Sequence, residues 1–267
     1  MLEPTVIWKS GSPRETYIDR SSRVVAAELV RWLDLLPRQR WLDVGYGTGA
    51  LSSLILEQAA PAMLMGIGAS ATVMSDARQT FQAPHAFFVV ANAQALPAPD
   101  AFFEAVVSGV ALNLFSEPQT VVREMRRVVR RGGAVAVYVW DYAEGMEFPR
   151  YFWQAVSKVD PSHPLLDETQ RLPLCDPAPL AKIFREAPFV QVSSRPIHVD
   201  TIFPTFATLW LALARGQGTA SDYLKALTTR QRRALQAELR AILPIQYDDS
   251  IRLRARAWAV RGVRPVA

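Results

Sequence analysis

Stretches with strand character and stretches with helical character alternate between residues 41 and 140, and this order constrains the fold more than any other feature. Parallel strands need long crossover connections, which are usually helices. The alternation therefore predicts the α/β class with a mainly parallel sheet. The predicted strands are at 41–44, 63–67, 86–90, 105–108 and 134–140, and the predicted helices at 49–58, 72–81 and in the arginine-rich segment before Gly132.

Both ends of the chain differ from this central pattern. A helix is predicted at about 22–36, and the sequence after Asp141 is irregular. Segments 190–199 and 251–260 alternate like the strands of a closing antiparallel hairpin. We predict an N-terminal helical region at 1–40, a core at 41–202 and 245–267, and a helical cover insert at 203–244, whose last helix begins with a threonine cap.

Cysteine and histidine are too sparse for a metal site. Cys175 is the single cysteine, and His85, His163 and His198 lie far apart in the sequence. No metal is expected, and a reducing, cytoplasmic location is the simplest interpretation. The N-terminus has no secretory-signal pattern, and the longest apolar candidate, 207–214, is short of the roughly 20 residues that span a bilayer, so no membrane partner is expected.

The net charge of +5 raises the question of a nucleic-acid partner. In segment 121–131 the arginines lie opposite a helical row of apolar residues and have no interleaved aromatics. We interpret them as a solvated helix face, with Arg130 and Arg131 in the last turn before a stop at Gly132. No nucleic-acid partner is therefore expected.

The segment RWLDVGYGTGALSS, residues 40–53, ends a predicted strand in an acid and opens a helix with three glycines. Such a loop lets backbone approach a ligand at the carboxyl end of a strand. Dinucleotide loops have the spacing G-x-G-x-x-G, whereas this run is D-x-G-x-G-T-G. Asp43 suits a cationic amino group better than a pyrophosphate. The alternative is a tight turn that needs glycine only for its dihedral angles.

The run LDVGYGTGALS resembles motif I of the class I S-adenosylmethionine-dependent methyltransferases, in the small-molecule branch that includes the ubiquinone and menaquinone biosynthesis C-methyltransferases. Segment 91–142 resembles the same family from its third strand through its fifth. The resemblance extends over about 17–262. It implies a Rossmann-like, seven-stranded sheet, S-adenosylmethionine as cofactor and a small-molecule acceptor.

By this resemblance, Asp43 reaches the amino group of the methionine moiety, and the glycines of the loop line its path. Asn92 approaches the adenine, and residues 108–113 lie beside the reactive methyl group. The implied cofactor-binding residues are Tyr17, Asp43, Gly45, Tyr46, Gly47, Gly49, Gly68, Ala69, Asn92, Ala93, Gln94 and Ser108.

Three positions depart from the family pattern. The family places an acid after the second strand to accept hydrogen bonds from both ribose hydroxyls, and this sequence has Gly68. Losing charged hydrogen bonds of about 1.5–3 kcal/mol each predicts binding weaker by roughly ten- to a few hundredfold. Asn92 replaces the usual Asp and still offers an acceptor oxygen to the adenine. Tyr46 replaces a small residue, and either crowds the cofactor or points into the interior.

Methyl transfer needs an in-line nucleophile and exclusion of water, and needs a base only where the nucleophile must lose a proton. The candidate catalytic residues are Asn113, Asp141, Tyr142 and His163. His163 is alternatively a loop residue, and Asp141 a brace at a strand end. The aromatic residues at 140–153 either line an apolar acceptor site or pack the core.

We expect an enzyme, an S-adenosylmethionine-dependent methyltransferase that acts on an uncharged or weakly polar small molecule. One alternative is a methyltransferase-like protein with weakened or lost cofactor binding, which acts as a binding or assembly partner or performs other chemistry in the same pocket. Another is an RNA methyltransferase, whose affinity for nucleic acid would fall steeply with salt.

Overall fold

The structure, a computed structural model, describes residues 5–7, 17–163, 172–215 and 219–267. Its strands are β1 Thr5–Ile7, β2 Arg40–Val44, β3 Met63–Gly68, β4 Ala86–Val90, β5 Phe103–Gly109, β6 Val129–Trp140, β7 Val190–Phe203 and β8 Ile251–Val263. Its α-helices are α1 Tyr17–Leu33, α2 Ala50–Gln58, α3 Ala71–Thr80, α4 Pro118–Val128, α5 Glu147–Val159, α6 Pro177–Glu186, α7 Phe206–Arg215, α8 Thr219–Ala226 and α9 Thr229–Ile242.

The strands form one sheet in the order β1-β7-β8-β6-β5-β2-β3-β4. Strands β2 to β6 are parallel to their neighbours within that group, and β8 is antiparallel to β6. The predicted α/β class, the mostly parallel Rossmann-like sheet and the antiparallel terminal strands are confirmed. The short strand β1, parallel to β7, is an additional edge strand that the sequence pattern did not indicate.

Contacts within the chain divide it into two compact units. The core unit comprises Ser22–Trp140, Leu172–Ile197 and Ala257–Ala267. The helical unit comprises the described residues of Met1–Ser21, Asp141–Arg171 and His198–Arg256, and β7 and β8 run through both units. The boundaries at 1–40, 41–202, 203–244 and 245–267 stay a prediction.

Helix α4 joins the core unit through an amphipathic face, as the sequence predicts. Its apolar residues pack on the sheet and are fully buried: Val121, Val122, Met125 and Val128. On the other face, Arg127 pairs with Glu124 and Asp100. The nearby Arg130 lies within ion-pair distance of Glu104. These contacts support the interpretation of the arginines as a solvated, partly ion-paired face.

The structure corrects the predicted end of α4. The helix ends at Val128 rather than just before Gly132, and Arg130 and Arg131 lie in β6. The helix stops there because the next residue already pairs with β5. The cation that binds the carbonyls at the helix end is Arg264, rather than the predicted Arg130 and Arg131. Its guanidinium donates to the backbone oxygens of Arg126, Arg127 and Val129.

The helical unit has an apolar cluster of its own. Phe148 and Phe152 of α5 are buried in this cluster together with Leu209 of α7 and Leu239 of α9. Thr228 begins α9 with a capping box, so the predicted threonine cap is confirmed. No helix in the described ranges combines the length and apolar character that crossing a bilayer requires.

We expect Met125→Ala to lower the free energy of unfolding by about 2–5 kcal/mol, because it leaves a cavity between α4 and the sheet. Arg123→Ala, on the exposed face of the same helix, should change it by no more than about 0.5 kcal/mol. Urea unfolding of both variants measures the difference. Equal destabilisation by the two substitutions would contradict this packing.

Candidate functional site

The carboxyl ends of four parallel strands meet at one edge of the core unit. Asp43 of β2 is in register with Gly66 of β3 and Val107 of β5, and Gly68 is in register with Val90 of β4. Residues that follow these strands are therefore neighbours although they are far apart in the sequence. This edge is where open α/β sheets bind ligands.

The loop after β2 is held in a conformation that requires glycine. Gly45, Gly47 and Gly49 have φ values of +80°, +54° and +82°. A Cβ built on Gly45 would overlap the Cβ of Ala111, so the turn after β5 lies directly against the loop. The backbone N–H of Gly45 and that of Tyr46 donate to the carbonyl of Ile67 at 3.0 and 2.8 Å, which fastens the loop to β3.

Tyr46 points into the interior, the second of the two orientations that the sequence left open. Its side chain is buried and packs edge-on against Phe88 and Phe81, with ring centroids 5.0 and 6.2 Å away. A Cβ on Gly49 would overlap its hydroxyl, and a Cβ on Gly66 would lie 3.2 Å from its ring. Gly49 therefore makes room for this ring, and Gly66 makes room chiefly for the ring of Phe88, 2.6 Å from the same Cβ.

Asp43 is buried beneath the loop, with 1% of its surface exposed. The hydroxyl of Ser52 on α2 donates to its carboxylate at 2.7 Å. Burial raises the pKa of Asp43 to about 6, against the opposing effect of its hydrogen bonds with Ser52. A buried carboxylate with a raised pKa at a ligand-binding edge is a candidate partner for a bound cation.

Sequence reasoning did not single out Ser52, although Ser52 is the last residue of the run LDVGYGTGALS. The signal that could have found it is its position, a polar residue between the apolar Leu51 and Leu54, which the structure buries with it in α2.

Gly68 ends β3 with space around it. Its φ is outside the left-handed region. The nearest atom to a Cβ built there is Cε of Met74, at 3.1 Å, which is the flexible end of a side chain. Ala69 is exposed, and Ser70 caps α3 by accepting the N–H of Val73. A longer side chain at position 68 is therefore compatible with the fold.

Asn92 lies exposed after β4, and its amide oxygen already has a partner. Oδ1 accepts the backbone N–H of Gln94 at 2.9 Å, which closes an Asx turn. Gln94 in turn donates from Nε2 to Ser116, and Ala93 is buried. An amide oxygen has two lone pairs, so this oxygen can still accept a second hydrogen bond, and its contact with an adenine amine stays a prediction.

The end of β5 supplies Ser108 and Asn113. Ser108 is fully buried, and its hydroxyl has no hydrogen-bond partner among the described residues. Asn113 lies in the 3₁₀ turn Ala111–Leu114, and its Oδ1 accepts the backbone N–H of Leu174 at 2.9 Å. This contact gives Asn113 a bracing role, whatever else it does.

The remaining candidates belong to the helical unit. Asp141 is buried, and it accepts hydrogen bonds from Arg256 at 2.6 Å and from the backbone N–H of Glu144. Tyr142 is half-buried. Tyr17 begins α1, and its side chain lies outside what the structure describes.

His163 lies in an aromatic cluster of the helical unit. Its ring stacks on Trp153 with a centroid distance of 5.7 Å and contacts Tyr223. Tyr223 donates to Asp160 at 3.1 Å. Within the described residues, no group of three or more metal-ligating side chains is found.

A family described as a methyltransferase domain matches residues 42–137. Among curated proteins, demethylmenaquinone methyltransferase of Roseiflexus castenholzii is 32% identical over 97 residues, 36% of this chain and 41% of that protein. The 2-methyl-6-phytyl-1,4-hydroquinone methyltransferase of Synechocystis is 29% identical over 71% of this chain and 60% of its own length. The chain thus spans less than two thirds of these relatives.

Solved structures share the fold at low sequence identity. The [4+2]-cyclase SpnF has a TM-score of 0.57 at 19% identity, over 97% of this chain and 87% of its own. Haemonchus contortus phosphoethanolamine N-methyltransferase 2, solved in complex with S-adenosyl-L-methionine, has a TM-score of 0.53 at 14% identity, over 90% of this chain and 52% of its own.

The ligand-free protein should be stabilised when the buried charge of Asp43 is removed. Because the pKa of Asp43 is about 6 in the folded state and about 3.9 in an unfolded chain, the folded state holds the proton more tightly. The free energy of unfolding therefore falls as pH rises from about 4 to about 6 and stays lower above that. We expect Asp43→Asn to be more stable than the parent at pH 8, by up to about 3 kcal/mol, and about equal at pH 4.

Urea unfolding at the two pH values measures this effect. Ser52→Ala, which keeps the charge and removes a donor, is the control and should lower stability at pH 8. An Asp43→Asn variant less stable than the parent at pH 8 would contradict the conclusion that the buried charge of Asp43 destabilises the ligand-free fold.

Proposed function

We propose that the chain is a class I methyltransferase of the small-molecule branch, which binds S-adenosylmethionine and transfers a methyl group to a small-molecule acceptor; the match of residues 42–137 to a methyltransferase-domain family supports this proposal. The glycine loop after β2 carries this proposal. Its three glycines are all left-handed, Gly47 is exposed and Gly45 half-exposed, and the loop follows the strand that carries the buried Asp43. A conformation that excludes side chains at all three positions suits a ligand in close contact with the backbone.

The amino-acid end of the cofactor fits this loop. Asp43 holds a charge that burial disfavours, and a bound ammonium group would offset that cost. The loop is fixed to β3 through the carbonyl of Ile67, and Ser52 of α2 donates to Asp43 of β2 on the other side of the loop, so little ordering is needed on binding. We propose Gly45, Gly47 and Gly49 as the residues along which this end lies.

The adenosine end fits less well. Gly68 offers the ribose hydroxyls no side-chain acceptor, and Asn92 uses its amide oxygen within its own turn. Ala93 and Gln94, which follow Asn92, are proposed to flank the adenine. We therefore propose that binding energy is concentrated at the amino-acid end and that affinity is lower than the family pattern would give.

The bound cofactor would supply an electrophilic methyl group on a sulfonium, whose loss leaves a neutral thioether. The chain's own task is to orient the acceptor in line with that group and to exclude water. Asn113 and Asp141 are held by Leu174 and Arg256, which favours positioning roles for them. We propose Tyr142 and His163 for proton transfer where the acceptor must lose a proton.

The acceptor is proposed to be weakly polar. The two curated relatives are named for a demethylmenaquinone and for a phytyl hydroquinone. Simple alkylated hydroquinones are therefore the first acceptors to test.

Titration calorimetry of the parent protein with S-adenosylmethionine and S-adenosylhomocysteine tests the proposed cofactor, with adenosine alone as the control ligand. We expect S-adenosylmethionine and S-adenosylhomocysteine to bind and adenosine to bind more weakly, because adenosine lacks the amino-acid end. Equal affinity for adenosine would contradict the role of the loop, and no binding of any of them would contradict the function.

A second function is favoured by the two neutral positions at the adenosine end. A protein with this fold that has lost the cofactor would act as a binding partner or perform other chemistry in the same pocket. A solved structure with a similar fold is named a [4+2]-cyclase. Absence of binding in the parent and in the combined Gly68→Asp and Asn92→Asp variant would favour this alternative.

We expect Gly68→Asp to tighten S-adenosylhomocysteine binding by about tenfold or more, because the new carboxylate can accept one or two ribose hydrogen bonds. The backbone at Gly68 tolerates a side chain, and only the end of Met74 must shift. Gly68→Ala, which adds the Cβ without the carboxylate, is the matched control and should bind like the parent. Tight binding by the parent with no gain in Gly68→Asp would mean that another residue already binds the ribose.

We expect Asn92→Asp to tighten S-adenosylhomocysteine binding by about tenfold. One carboxylate oxygen keeps the turn with Gln94, and the second accepts from the adenine amine. The gain should disappear with S-inosylhomocysteine, whose base has a carbonyl in place of that amine. The same gain for both ligands would contradict a contact between residue 92 and the adenine amine.

A further inference from the structure

Val110, the residue after β5, has a left-handed backbone with φ of +64°. This region is unfavourable for side chains with a Cβ and most of all for β-branched ones. The sequence does not indicate this backbone conformation, because the position holds neither Gly nor Asn. A strained residue of this kind persists only where its surroundings determine its conformation, and such residues concentrate at functional sites.

The chain before Val110 is fixed against β6. The backbone N–H of Val110 donates to the carbonyl of Tyr138 at 2.8 Å. A Cβ built on Gly109 would lie 2.7 Å from the hydroxyl oxygen of Tyr138, so the strand end runs close under that ring. Tyr138 is itself buried, and the strand therefore has no freedom to take up the strain.

The chain after Val110 is fixed at three further points. Ala111 contacts the glycine loop where a Cβ on Gly45 would overlap it. Leu112 is fully buried, and Asn113 accepts the N–H of Leu174. Because the contacts fix the chain on both sides, Val110 alone makes the transition from β5 to the turn Ala111–Leu114.

We propose that Val110 is a positioning residue whose left-handed backbone directs the turn Ala111–Leu114 against Gly45. The turn and the glycine loop then form one prearranged wall, so that a ligand lying on the loop need not order it. This inference rests on the proposed function, because it takes the glycine loop and the adjoining turn as one wall of the S-adenosylmethionine site.

The test compares S-adenosylhomocysteine affinity and thermal midpoint in the parent, Val110→Gly and a control. Glycine adopts the left-handed conformation without strain but also frees the turn. We expect Val110→Gly to melt at or above the parent's midpoint and to bind about three- to fivefold more weakly. The control is Arg38→Gly, which relieves a matching φ of +65° in an exposed loop before β2 and should bind within twofold of the parent.

Val110→Asn separates the effect of backbone strain from the effect of losing the side chain. Asn enters the left-handed region more readily than Val and keeps a side chain of similar length. We expect it to melt above the parent and to bind as the parent does. If Val110→Gly does not fold, the S-adenosylhomocysteine affinity and the thermal midpoint of Val110→Asn test the proposal by themselves.

Two outcomes overturn this inference while the proposed function stands: parent-like affinity in Val110→Gly, or a loss of affinity in Val110→Asn equal to that in Val110→Gly. Failure of the parent itself to bind S-adenosylhomocysteine overturns the proposed function, and the inference with it.

Discussion

The buried carboxylate of Asp43 is the constraint around which the carboxyl edge of the sheet is arranged. It is the residue before the last of β2, between β3 and β5, and it is buried there. Its hydroxyl donor comes from Ser52 on the helix that the glycine loop opens, so strand, loop and helix are linked through one acid. Burial keeps the pKa of this acid near 6, and the negative charge it carries above that pH has an energetic cost that a bound cation would offset.

The adenosine side of the same edge is built differently. Gly68 and Asn92 carry no charge, and the space beside the loop is filled by the ring of Tyr46, packed on Phe88. Under the proposed function, this side would recognise the ligand by shape and by backbone groups, and the charged contact would be confined to Asp43. A cofactor site of this kind would hold its ligand chiefly by the amino-acid end.

Much of the fold was predictable because it follows from local patterns. The strand at Ala86–Val90 and the buried face of α4 are given by the positions of apolar residues alone. The end of α4 was not, because pairing of Val129 with β5 and capping by Arg264 are contacts between distant segments. At the candidate site, the glycine loop was predictable from its spacing. The partner of Asp43 lies within the same run, but the sequence does not show that Ser52 is buried against it. The partner of Asn113 and the strain at Val110 depend on tertiary packing that leaves no motif in the sequence.

A crystal structure of the protein grown with S-adenosylhomocysteine tests the central claim most directly. The account predicts the amino-acid end of the ligand along Gly45, Gly47 and Gly49, with its ammonium group on the Asp43 side. It also predicts the adenine beside Asn92 and Ala93, and ribose hydroxyls that face Gly68 without a carboxylate partner. A ligand bound elsewhere on the protein, or bound at this edge with its amino-acid end away from the glycine loop, would contradict it.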